Sequence, residues 1–132
     1  MNQNPIEEGL ELSVQFDKRD GLVPGIVQDY SSGEIMMLGY VNREALDETV
    51  RSGYATFWST SRNELWKKGE TSGDYLEVKE ILVDCDQDAL VMKVEVMGNG
   101  FCHTKNAEGE TRSSCFYRKL DENYLEFLDG ME

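Results

Sequence analysis

An α+β fold with a mainly antiparallel sheet and one or two short helices is what this sequence predicts. Three observations carry that expectation. Five or six short runs are rich in β-branched and aromatic residues, as strands are. Helical spacing shows in only two places, and the helices do not alternate strictly with the strands. The length, 132 residues, suits a single domain.

LVPGIVQDY and IMMLGYV read as the first two strands, joined by a turn at Ser31, Ser32 and Gly33. Asn42 then stands as an N-cap, and Gly53 sits where a helix stops. Between them Ala45, Leu46, Thr49 and Val50 share one helical face. ATFWSTS reads as a strand and NELWKKGETSG as a polar loop around Trp66. YLEVKEILV and ALVMKVEVM are two further strands with DCDQD between them. FCHTKNAEGETRSSC is loop-like, and CFYRKL reads as a closing strand. Tyr124, Leu125 and Leu128 predict a short amphipathic helix over ENYLEFLDGM.

Composition narrows the function. Thirteen basic residues against twenty-six acidic ones give a net charge of −13, which argues against a basic nucleic-acid-binding face. No apolar run approaches the ~20 residues of a membrane-spanning helix. The start, MNQNPIEEGLEL, has neither a basic n-region nor an apolar h-region, so a cytoplasmic protein is expected. Three cysteines are an odd number for a disulfide framework, which leaves metal-binding or simply buried thiols.

Residues 83–88, VDCDQD, concentrate three carboxylates around a cysteine. Extended, the segment puts Asp84, Asp86 and Asp88 on one face and Cys85 on the other. Carboxylate oxygens suit Mg²⁺, Mn²⁺ or Ca²⁺, whereas a thiolate suits Zn²⁺. An EF-hand fits less well: position 6 is Ala89 instead of glycine, and the flanks read as strands. An acidic turn with no metal is the bland alternative.

FCHT joins the only histidine, His103, to Cys102, and Cys115 follows twelve residues after His103. No C-x-x-C spacing is present. Three thiolates and one open position describe a catalytic zinc, beside which His103 suits a general acid or base. Thiol nucleophilic catalysis with His103 as partner is the competing chemistry. Residues 58–73, WSTSRNELWKKGETSG, hold Arg62, Lys67 and Lys68, the densest basic cluster in the acidic chain. With Thr71, Ser72 and glycine amides they could bind phosphate, or form an ordinary surface loop.

Taken together, MMLGYVNREAL, FWSTSRNELWKKGETSG, VKEILVDCDQDALVMKVE, FCHT and SCFYR resemble the phosphoribosyl-AMP cyclohydrolases of histidine biosynthesis. These segments run in order from about residue 35 to residue 118. The resemblance implies a single cyclohydrolase-like domain, with no fused pyrophosphohydrolase, in an obligate-type homodimer. It implies one Zn²⁺ per subunit, held by Cys85, Cys102 and Cys115 drawn from both subunits. It implies Mg²⁺ on Asp84, Asp86 and Asp88, a catalytic role for His103, and phosphate contacts from the loop holding Arg62, Lys67, Lys68, Thr71 and Ser72. The implied reaction hydrolyses the N1–C6 bond of the adenine ring in 1-(5-phosphoribosyl)-AMP, a small nucleotide, with zinc supplying hydroxide. The H-x-E…P-C-x-x-C signature of zinc deaminases is absent. The chain departs from the family's pattern at Thr60, Asp74, Tyr75 and Lys105, and in a longer loop from Thr104 to Ser114. A non-catalytic zinc-binding module is the alternative from a different functional class.

Overall fold

The computed structural model describes residues 4–132. Four strands form the central sheet in the order β2-β1-β6-β5. They are β1 (Val23–Asp29), β2 (Ile35–Val41), β5 (Leu76–Val83) and β6 (Leu90–Val96). β1 runs antiparallel to β2 and β5 antiparallel to β6, while the central β1–β6 pair is parallel. The α+β expectation and the mainly antiparallel sheet both hold.

Local chemistry explains the first half. β1 points Val23 and Val27 into the core. Gly33, at φ 81°, supplies the left-handed residue that the β1–β2 turn needs. Helix α2 (Arg43–Ser52) starts at Asn42, whose Oδ1 accepts the Ala45 amide at 2.8 Å, and ends at left-handed Gly53. It buries Ala45, Leu46 and Thr49. Val50, expected on the same face, is exposed: the buried stripe is narrower than the sequence pattern suggests.

Phe57, Leu76, Leu90 and Met92 are among the fully buried side chains. Burying a side chain of this size contributes about 1.5–3 kcal/mol relative to leaving it exposed. Phe57 lies across β2, and a Cβ on Gly39 would come within 2.6 Å of its ring. Gly39 is therefore what lets that ring approach the sheet.

Two hairpins differ from the sequence reading. β3 (Thr56–Ser59) pairs with β4 (Glu64–Lys67), so part of the expected polar loop is a strand. Left-handed Asn63 turns the chain, and Trp66 pairs with Phe57 across the ladder. The expected C-terminal helix is also a strand: β7 (Arg118–Asp121) pairs with β8 (Tyr124–Phe127). A left-handed Glu122 sits in the two-residue loop, and Phe127 stacks on Tyr117 with centroids 6.1 Å apart. A helix this short has little stability unless an apolar face is packed, and here the aromatic packing favours the ribbon.

The N-terminal segment holds a one-turn helix α1 (Pro5–Glu8) and a 3₁₀ turn at Phe16–Arg19, neither foreseen from sequence. Among the described residues, no helix is long and apolar enough to cross a membrane.

Candidate functional site

The acidic segment is a turn, not the extended stretch that alternating faces required. The Gln87 amide donates to the Asp84 carbonyl at 3.1 Å, and Gln87 itself has φ 54°. Asp84 Oδ1 accepts the amides of Asp88 and Ala89 at 2.9 and 3.0 Å. The turn still gathers the carboxylates: Asp84, Asp86 and Asp88 each offer an oxygen within 4.8 Å of the others. Hard oxygens this close suit a hard divalent cation.

Two cations from elsewhere in the chain face this cluster. Lys18 Nζ lies 3.3 Å from Asp86 and 3.3 Å from Asp88, and Arg19 lies 3.2 Å from Asp88. A hydrogen bond with Asp86, then those with Arg19 and Lys18, holds the Asp88 carboxyl well below the usual range. Burial pushes the Asp84 carboxyl up, and its neighbours Asp88 and Asp86 add to the rise.

Gln87 fixes the approach of these cations. Its side-chain oxygen accepts the Ser13 amide at 2.7 Å, and its side-chain nitrogen donates to the Ile6 carbonyl at 3.0 Å. Its carbonyl accepts the Gln15 amide at 2.7 Å. The N-terminal strap is thereby tied to the acidic turn, and Lys18 and Arg19 follow directly after it.

A second cluster lies beyond the far end of β6. The Cys102 amide donates to the Arg112 carbonyl at 3.0 Å, and the Cys115 amide donates to Met36 of β2 at 2.7 Å. These ties bring both cysteines to one cleft of about 460 Å³, together with His103, Lys68, Trp66 and Phe116. Lys68 donates to the Phe101 carbonyl at 2.8 Å and its ammonium sits 4.8 Å from that ring's centre. Lys68 thus places a positive charge beside two sulfurs.

The two thiols differ. Burial works against ionising Cys102, but hydrogen bonds with Thr104 and Cys115, and the charge of Lys68, carry its thiol below the usual value. Its sulfur lies 3.0 Å from the Thr104 hydroxyl. Cys115 is exposed overall, yet loss of water in the cleft and the neighbouring Cys102 push its thiol up to about 11. Two sulfur donors in one cleft suit a soft metal ion.

Cys85 is not with them. It lines a separate groove with Leu10, Leu12 and Val83. The acidic turn opens β6 and Cys102 follows its other end. The seven residues of β6 span about 20 Å at ~3.3 Å each. One chain therefore assembles two of the three expected sulfurs.

The basic loop divides as well. Arg62 sits in the β3–β4 turn, 3.6 Å from Glu64. Lys67 turns to α2, where its Nζ lies 3.4 Å from Glu48, while its neighbour Lys68 faces the cleft. Thr71 and Ser72 lie on the exposed turn after β4.

The sequence model described as phosphoribosyl-AMP cyclohydrolase matches residues 37–117, which include all three cysteines, all three aspartates and His103. This chain belongs to the phosphoribosyl-AMP cyclohydrolase family. A phosphoribosyl-AMP cyclohydrolase of Solibacter usitatus is 52% identical over 119 residues, covering 90% of each chain. One of Hyphomonas neptunium is 49% identical over 121 residues, 92% of this chain and 86% of the relative. One of Methanosarcina mazei is 54% identical over 102 residues, 77% of this chain and 79% of the relative.

Sequence reasoning missed several residues of this cyclohydrolase-family site. Lys18 and Arg19 lie about seventy positions from the aspartates, and no motif in the sequence joins the two stretches. Thr104 falls in the loop that follows FCHT, and its bond to Cys102 has no sequence signal. The family match leaves out both the N-terminal strap and the β7–β8 ribbon.

Proposed function

We propose that this hydrolase opens the adenine ring of 1-(5-phosphoribosyl)-AMP at the N1–C6 bond, a step of histidine biosynthesis. One observation supports it above the rest: within a chain of this family, Cys102, Cys115, His103 and Lys68 share one cleft. Its volume of about 460 Å³ and its Trp66, Met37 and Phe116 walls suit a purine base.

The residues fit the metals that the family implies. Cys102 and Cys115, with Cys85 of a second copy, would hold zinc, and Asp84, Asp86 and Asp88 would hold Mg²⁺. Zinc supplies activated water near neutral pH, and Mg²⁺ offsets the carboxylate charge. Homodimerisation follows as part of the reading, because β6 separates Cys85 from the other two sulfurs of its own chain. Free thiols that serve as ligands suit a reducing compartment, the cytoplasm.

His103 is exposed at the cleft and acts as the general base and acid. It takes a proton from water as the oxygen bonds to C6. It returns a proton to N1 as the N1–C6 bond breaks, leaving a carboxamide and a formimino nitrogen. The Lys68 charge adds to the Thr104 hydrogen bonds in favouring the Cys102 thiolate. The donors around Arg62, Lys67, Thr71 and Ser72 serve the phosphates, with Lys67 released from Glu48.

The test is absorbance during incubation of zinc-loaded protein with 1-(5-phosphoribosyl)-AMP. Turnover is expected, and His103→Ala should abolish it with zinc content intact. No absorbance change at full zinc occupancy would refute the enzymatic reading. Full activity in the His103 variant would remove that residue from the mechanism.

A further inference from the structure

We infer that Thr104 is a positioning residue for the reaction: through hydrogen bonds to the Cys102 sulfur it keeps a thiolate-bound metal electrophilic. Two of its groups reach one sulfur. The Thr104 hydroxyl lies 3.0 Å from Cys102 Sγ, and the Thr104 amide donates to the same atom at 3.4 Å. A thiolate has no proton to give, so with Cys102 ionised the hydroxyl is the donor. Cys102 and His103 line the cleft and Thr104 does not, so Thr104 acts through the sulfur and not on the substrate.

The backbone fixes both donors. The Cys102 amide donates to the Arg112 carbonyl at 3.0 Å, and the Arg112 amide donates to the Thr104 carbonyl at 3.2 Å. Lys105 and Thr111 continue this pairing as an antiparallel bridge. Cys102 and Thr104 are thus tied to one residue of the returning chain, on either side of exposed His103. The base of the long loop from Thr104 to Ser114 is closed by the same bonds.

Cys115 has no such pair. Among the described residues, no amide or hydroxyl is bonded to its sulfur. A divalent ion that carries three thiolates is left with net negative charge, which opposes the activation of a bound water. Hydrogen bonds to a ligating sulfur draw charge away from the metal–sulfur bond. Thr104 therefore offsets part of that negative charge, and does so at Cys102. This role rests on the reading that Cys102 is a zinc ligand.

The test replaces zinc by cobalt(II) in the full-length protein and reads the thiolate-to-cobalt charge-transfer band, with metal per subunit measured in parallel. Thr104→Val removes the hydroxyl and keeps the amide. It should hold cobalt at the wild-type level with the band moved to longer wavelength, because a sulfur with one donor fewer gives up its electrons more readily. Thr104→Ala should give the same shift, and Thr104→Ser should return the band to its wild-type place. In the zinc form of Thr104→Val, kcat for 1-(5-phosphoribosyl)-AMP should fall about tenfold with KM held within about twofold, and serine should restore it. A hydroxyl that only braces the loop would lower metal content and leave the band of the bound fraction unmoved. An unmoved band in both the valine and alanine variants, or a moved band that serine does not restore, would overturn the Thr104 role and leave the zinc reading standing. A wild-type band in Cys102→Ser would remove Cys102 from the metal, and the Thr104 role would fall with it.

Discussion

Lys18 Nζ lies 3.3 Å from Asp88 Oδ2 at the acidic turn. The same ammonium is 3.3 Å from Asp86, so it bridges two of the three carboxylates that the functional proposal gives to Mg²⁺. A tethered ammonium and a divalent cation compete for the same oxygens. Lys18→Met should therefore tighten Mg²⁺ binding, roughly two- to fivefold given the modest strength of exposed ion pairs. Calorimetry on zinc-loaded, substrate-free protein measures it directly. Weaker or unchanged binding would mean that Lys18 assists the cation or is simply swept aside. In chelator the same variant should melt at a lower temperature than wild type, because the carboxylates then repel with one counter-charge fewer.

Asp86→Asn gives the complementary test. It keeps the side chain's size and removes one charge from a cluster whose oxygens lie within 4.8 Å of one another. The midpoint of Mg²⁺ activation should rise while zinc content stays at the wild-type level. A wild-type midpoint would take Asp86 out of the cation site.

Much of the frame was legible in the chain itself. Asn42 and Gly53 bound α2 as their cap chemistry requires, and Gly33 turns β1 into β2. β4 and β8 were not legible, for one reason. Each is four residues long, and its strand state depends on a partner across a turn: Phe57 opposite Trp66, and Leu120 opposite Leu125. At the site, the residue types were readable and their grouping was not. The aspartates gather through a turn at Gln87, whose positive φ no local pattern announced. The separation of Cys85 from Cys102 is set by the length of β6 and by which end each occupies. Lys18 reaches Asp88 across seventy positions because Gln87 pins the strap.

Lys68 makes a prediction with a defined sign. Its positive charge favours the Cys102 thiolate over the thiol, and it does the same for Cys115. Lys68→Met should raise the pH at which thiolate appears in zinc-free protein, read from ultraviolet thiolate absorbance in a Cys85→Ser background. An unmoved titration would show that burial and the hydrogen bonds with Thr104 and Cys115 set the ionisation of Cys102 without Lys68.

Gly39 tests the packing that supports β2 and, through Met36, Cys115. An added Cβ would lie 2.6 Å from one ring carbon of Phe57 and 2.9 Å from another, and that ring is fully buried. It has no free space to retreat into, so Gly39→Ala should destabilise the fold by about 1–3 kcal/mol, the usual cost of overpacking. Denaturant unfolding measures it. A loss under half a kilocalorie per mole, ~0.5 or less, would mean that the β2 backbone yields easily.

Zinc removal gives the sharpest discrimination among the thiols. Cys102→Ser and Cys115→Ser each take a sulfur from the cleft, and Cys85→Ser takes one from a groove beyond the opposite end of β6. If a second copy delivers Cys85, all three variants should lose zinc alike, measured as metal per subunit after dialysis. If each chain binds zinc alone, Cys85→Ser should match wild type while the other two fall. Mixing Cys85→Ser with Cys102→Ser separates these cases further. A shared site regains one intact centre in each mixed dimer, so about a quarter of the wild-type zinc should return at random pairing, since half of the dimers are mixed and each has one centre of two. No recovery on mixing, under conditions where subunits exchange, would exclude a centre built from both chains.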